Sequence, residues 1–246
     1  MDDLAFSDDG QMVIFTTGSY VLAGSMDEDF IPFATKKDEF ESAVYGLAIT
    51  SDKKIIAAGG YDKTVKIFNL ETETIIKELS PWDEAINHLY FSLDGNQLVI
   101  VYDDAIIQVD LMNYESEPSM RLMELDAPVS DIQQSPNREK IFISFSNGEI
   151  GEYDIADTSL HTYELPIESK ILQFDFNLDN SILAIAREEG IVQFWDVNSQ
   201  IMLSDFKINN GEFFEIDDLA FSEDDKYFFV LGNDSILRVY AISEKE

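Results

Sequence analysis

The sequence predicts an all-β chain built from six copies of one short-stranded unit, the last copy lacking its outer strand. Three observations carry this expectation. One phrase recurs six times: an apolar-polar strand followed by a turn rich in Ser, Asp and Gly. Val, Ile, Phe and Tyr fill the runs that follow it, and Gly, Asn and Asp punctuate them. No stretch of ten residues or more carries a convincing helical period.

The copies lie at 3–10, 46–53, 88–95, 131–138, 173–180 and 218–225. Their anchor residues are Phe6, Ile49, Phe91, Gln134, Phe176 and Phe221, spaced by 43, 42, 43, 42 and 45. A second strand follows each copy, at 11–16, 55–59, 97–101, 140–145, 181–186 and 226–231. After a tight polar turn comes a third, at 20–23, 64–69, 105–110, 149–154, 191–196 and 235–241. Fourth strands bridge to the next copy at 74–79, 120–125, 160–165 and 202–208, with 29–34 as a weaker equivalent.

Four strands in about 43 residues is the size of one β-propeller blade. The fold expected is therefore an all-β propeller of six blades in a single domain, 1–246. First, second and third strands number six each, but fourth strands number five. An unpaired blade edge is sticky. The expectation is a segment of a longer protein or assembly. A fourth strand supplied by a partner, or a sixth blade that is three-stranded, are the other two readings.

Asp and Glu number 49 against 16 Lys and Arg, a formal net charge of −33. Phosphates need a cationic surface, so nucleic acid is not expected as a partner. An anionic membrane surface is disfavoured for the same reason. With no cysteine, disulfides, thiolate chemistry and zinc–cysteine sites have no carrier. The first residues, Met1-Asp2-Asp3-Leu4, lack the basic and apolar regions of a signal peptide. A cytoplasmic location is expected, with the nucleus also open.

The period and strand order resemble the WD40 family. The nearest local match is Gly190-Ile191-Val192-Gln193-Phe194-Trp195-Asp196-Val197, with a Trp-Asp pair ending the third strand. Phe68-Asn69, Val109-Asp110, Tyr153-Asp154 and Tyr240-Ala241 are its degenerate forms. The run from Tyr61 to Phe68 looks like the family's second-to-third strand turn, where an Asp braces the turn. The family's Gly-His pair before the first strand is missing from every copy, so more of the rigidity is expected from apolar packing.

The resemblance implies that second-to-third strand turns share one face with fourth-to-first strand loops. That face would carry Tyr61, Tyr102 and Arg187, with Trp82, Asp83 and Glu84 on one longer loop and Phe213 and Phe214 on another. Rings interleaved with carboxylates suit a basic peptide through charge and cation–π contact. The plainer reading is that Trp82 folds back on a neighbouring blade and the carboxylates form a solvated rim. Adjacent acids such as Asp8-Asp9 and Asp224-Asp225 sit where turns favour Asp, so no catalytic pair is assigned. No cofactor or metal is expected. The function these features favour is a non-catalytic interaction scaffold within a larger complex. The alternative is an acidic chaperone or reader of basic protein tails, such as those of histones or ribosomal proteins.

Overall fold

The computed structural model describes residues 4–26, 33–34, 40–79, 82, 84–102, 104–111, 120–163, 165, 170–208, 214–222 and 224–242. The chain divides into two compact units, Met1–Asp126 and Ala127–Glu246.

The first unit holds three four-stranded antiparallel sheets. One contains β1 (Leu4–Phe6), β2 (Met12–Thr17), β3 (Tyr20–Ser25) and β4 (Phe33–Ala34). The next contains β5 (Val44–Ile49), β6 (Ile55–Gly60), β7 (Val65–Asn69) and β8 (Thr74–Leu79). The third contains β9 (His88–Phe91), β10 (Gln97–Val101), β11 (Ala105–Asp110) and β12 (Met120–Glu124). In each, neighbours in sequence are neighbours in the sheet.

The second unit has β13 (Val129–Gln134), β14 (Lys140–Phe145), β15 (Ile150–Asp154) and β16 (Ser159–Tyr163) in one sheet. The following sheet has β17 (Ile171–Phe176), β18 (Ile182–Arg187), β19 (Ile191–Asp196) and β20 (Ile201–Lys207). Among the described residues the last has three strands, β21 (Ile216–Phe221), β22 (Tyr227–Gly232) and β23 (Leu237–Ala241). Among the described residues the only helical element is a 3-10 turn at Glu188–Gly190.

The strands expected at 74–79, 97–101, 105–110, 140–145 and 191–196 are found at those bounds, and most others shift by one or two residues. The weak strand expected at 29–34 is reduced to Phe33–Ala34 among the described residues.

Apolar side chains pack sheet against sheet within each unit. Ile14, Val21, Phe40, Leu47, Ile56 and Phe68 fill one seam, and Ile67, Ile86, Leu89, Phe91, Ile100 and Val109 fill another. In the second unit Phe142, Phe174, Phe176, Leu183 and Trp195 form one cluster, with Phe142 and Phe176 stacked at 3.9 Å. Fully burying such side chains gives about 1.5–3 kcal/mol each, which makes these seams the main source of cohesion.

The Ser/Asp turns close through one repeated set of hydrogen bonds. At 92–97 the Ser92 hydroxyl donates to Asp94 (2.7 Å) and accepts the Gln97 N–H (3.0 Å), while Asp94 accepts the Asn96 N–H (3.0 Å). Gly95 sits at φ +71°, where a Cβ is disfavoured. Ser7 with Asp9, Thr50 with Asp52, Ser135 with Asn137 and Ser222 with Asp224 repeat the hydroxyl contact.

Candidate functional site

The first unit brings a loop, a turn and an outer strand together around Trp82. Gly59 and Gly60 end β6 without side chains, and this lets the chain on either side close down. A Cβ on Gly60 would stand 2.2 Å from the Ala43 carbonyl oxygen, and one on Gly59 2.5 Å from Ile86. The Tyr61 N–H therefore reaches the Ala43 carbonyl (2.9 Å), and the Ile86 N–H reaches that of Gly60 (3.1 Å). Asp62 braces the β6–β7 turn by accepting the Thr64 N–H (3.2 Å) and hydroxyl (2.9 Å). The turn's Lys63 carbonyl then accepts the Trp82 N–H (3.1 Å). The second-to-third strand turn and the fourth-to-first strand loop are thus stitched together at one end of this unit.

Trp82 is half-buried. Its ring packs on the seam of Ile67, Ile86 and Leu89, with its centroid 6.3 Å from that of Tyr102. Its Nε1 is buried with no hydrogen-bond partner among the described residues. Beside the two rings lies a cleft of about 460 Å³. Ile107 and Leu122 contribute apolar walls, and Glu84, Asp104 and Glu124 contribute carboxylates. Leu122 is 64% exposed on the outer strand β12. Ring, apolar wall and carboxylate side by side suit a long cationic side chain, whose stem is apolar and whose head is charged.

The other expected contact residues are placed as follows. Tyr61 is 67% exposed on the turn that holds Trp82. Tyr102 is buried, its ring lining the cleft beside Trp82. Asp83 and Phe213 lie outside the described residues. Arg187, in the second unit, ends β18 and donates to Gln193 Oε1 (3.3 Å). Phe214, expected among the presented rings, is buried. Gly190 and Gly232 leave the notch it fills, since a Cβ on either would lie within 2.6 Å of its ring. The Arg238 guanidinium lies 4.9 Å above that ring and is itself held by Asp234 (2.6 Å), so Phe214 is a packing residue.

Sequence reasoning missed a ladder of carboxylates in the second unit. Asp131 accepts the Phe174 N–H (3.2 Å), and Asp175 accepts those of Phe176 (2.8 Å) and Phe221 (2.6 Å). Asp218 accepts the Leu219 N–H (2.8 Å). Burial pushes Asp131 up to about 6 and Asp175 up to about 7, and raises Asp218, against the pull of these hydrogen bonds; the Asp218 charge adds to the rise at Asp131 and Asp175, and Asp217 adds to it at Asp218. The available signal was an Asp within each first strand of the second unit, β13, β17 and β21. Among the described residues no group of three or more His, Cys, Asp or Glu is placed to hold a metal ion.

Six sheets of three or four short antiparallel strands, each wound in sequence order, define the β-propeller class. The model of the family described as WD domain, G-beta repeat matches residues 35–69. Subunit I of eukaryotic translation initiation factor 3 from Drosophila grimshawi is 22% identical over 182 residues, covering 69% of this chain and 56% of the relative. The protein LST8 homolog of Drosophila melanogaster is 24% identical over 196 residues, covering 78% of this chain and 62% of the relative. The chain thus spans less than two thirds of the length of these relatives. A chain in the crystal structure of the mitotic checkpoint complex shares the fold, with a TM-score of 0.78 at 13% identity over 99% of this chain and 75% of that one. The chain is similar to WD40-repeat proteins, and one of its repeats, at residues 35–69, matches their family model. Trp195 of its Trp-Asp pair is buried in the apolar seam, and its Nε1 has no partner among the described residues. That fits a fold held by packing where the Gly-His pair is missing.

Proposed function

We propose that this chain is a non-catalytic interaction scaffold within a larger protein assembly, acting in the cytoplasm. One observation carries the reading: the proteins it resembles include a named subunit of a multi-subunit factor and a member of a solved complex. The proposed contact is the Trp82–Tyr102 cleft, with Glu84, Asp104 and Glu124 receiving a cationic side chain of the partner. Asp83, beside Trp82 in sequence, and Tyr61, on the same turn, extend that contact. The carboxylates give orientation and on-rate, and the rings and apolar wall give contact area. Residues 1–246 act as one domain of a longer protein or assembly.

The same cleft and the charge of −33 favour a second reading, a chaperone or reader of basic tails. The two differ in stoichiometry and salt response. Purification of the full-length tagged protein from its own cells, followed by mass spectrometry, tests the first. A fixed set of partners at constant ratio through a salt wash supports the scaffold. A heterogeneous set of basic proteins lost in salt supports the reader, and no protein at all contradicts both.

A further inference from the structure

The outer strand of the third sheet extends the apolar wall of the Trp82 cleft. β12 pairs with β11, and no other strand flanks it among the described residues. Leu122 stands opposite Ile107 and Glu124 opposite Ala105, and all four side chains line the cleft. Met120 lies two residues before Leu122 and so shares their face. It is 46% exposed, uncovered like Leu122. β8, the outer strand of the second sheet, exposes no large apolar side chain.

The edge of β12 offers its backbone in the same register. The Leu125 N–H bonds to the Asp104 carbonyl at 2.8 Å. Antiparallel pairs alternate, so Arg121 and Met123 also turn their backbone groups toward β11, and Met120, Leu122 and Glu124 turn theirs outward. Each residue that presents its backbone at the edge therefore presents its side chain on the cleft face. Glu84, Asp104 and Glu124 form no ion pair among the described residues, so the charge beside this strip is uncompensated.

We infer that β12 is the docking edge for one extended segment of a partner protein, with an arginine opposite Glu124 and apolar side chains two and four residues on, opposite Leu122 and Met120. The inference rests on the proposed Trp82 contact and names the segment that fills it. An added antiparallel strand sets its residues directly opposite those of β12, with side chains on the same face about 5 Å away. The arginine head then turns into the cleft, where the carboxylates meet its charge and Trp82 its flat face. The apolar residues cover Leu122 and Met120, and backbone bonds fix the register. The three carboxylates select a basic segment. A second copy of this chain would bring a further −33 to the edge and be repelled.

The probe is a labelled, end-capped peptide, Thr-Arg-Thr-Leu-Thr-Leu-Thr, titrated into the full chain by fluorescence anisotropy. Two peptide controls leave the protein untouched. Moving each leucine one position along puts it on the opposite face of the strand, and should weaken binding at least tenfold. Methylating the backbone nitrogens of the arginine and the leucines removes the N–H groups that face β12 and should do the same, whereas methylating those of the threonines between them should change little. Leu122→Thr keeps a strand-forming residue, removes apolar contact, and should weaken binding at least fivefold with an unchanged circular dichroism spectrum. Equal binding by the shifted peptide, or by the peptide methylated at arginine and leucine, would overturn the docked strand. If such binding were still lost in Glu84→Lys, the cleft reading would stand without the strand; if Glu84→Lys bound equally, both would fall. Self-association of the chain that Leu122→Thr abolishes would assign the edge to a second copy and overturn the inference.

Discussion

The Asp175 carboxylate accepts the Phe221 backbone N–H at 2.6 Å and so ties β17 to β21, one sheet to the next. Asp131 makes the same reach to Phe174 from β13. These carboxylates hold the seams of the second unit, and burial makes them costly to ionise.

That cost has a sign. Asp175 titrates at about 7 in the folded chain and Asp131 at about 6, against an ordinary 3.8. Raised pKa values mean the folded state holds these protons more tightly. Their stabilising contribution is complete below about pH 4 and is lost as pH rises toward 7. The melting-temperature difference between Asp175→Asn and wild type should therefore move in the variant's favour from pH 5 to pH 8, whatever constant offset the amide brings. A flat difference across that range would contradict the titration.

The Ser92 hydroxyl is buried and serves both Asp94 and the Gln97 N–H. Ser92→Ala leaves that N–H and carboxylate short of a partner, at a cost of about 1–2 kcal/mol in denaturant unfolding. Thr50→Ser, which keeps the hydroxyl in the equivalent turn, should cost less. Equal loss in the two would assign the effect to packing rather than to the hydroxyl.

Net charge sets the salt response. With −33 on the chain, self-repulsion opposes compaction, and the Debye length shrinks from about 30 Å at 0.01 M salt to about 8 Å at 0.15 M. The melting temperature should climb over that interval in sodium chloride. A steady fall would mean that attractive pairs such as Lys53–Asp9 and Lys207–Glu189 outweigh the repulsion.

The repeat was legible because each turn is written locally: a hydroxyl, an acid two residues later, and a strand of Val, Ile or Phe after it. The edges were less so. Third strands such as β19 end in a Trp-Asp pair, whereas β4 carries no comparable marker and is described for two residues only. Trp82 was legible as a loop residue, and it both packs on the core seam and lines the cleft. Phe214 shows the limit of sequence reasoning. Its burial depends on Gly190 and Gly232, which lie 24 and 18 residues away in sequence and make a notch only once the sheets are packed. The Asp131 and Asp175 bridges were hidden for a related reason, since their partners are backbone amides of the next sheet.

The cleft is tested most directly by tryptophan fluorescence, because Trp195 is buried and Trp82 is the other tryptophan of the two. Short capped peptides differing only in one arginine or its neutral isostere citrulline are titrated into the full chain. The expected result is a saturable change for arginine, at least tenfold weaker for citrulline, and lost in Glu84→Lys/Glu124→Lys at unchanged melting temperature. The same response to both peptides, or no saturable change with arginine, would contradict a cation-binding cleft at Trp82.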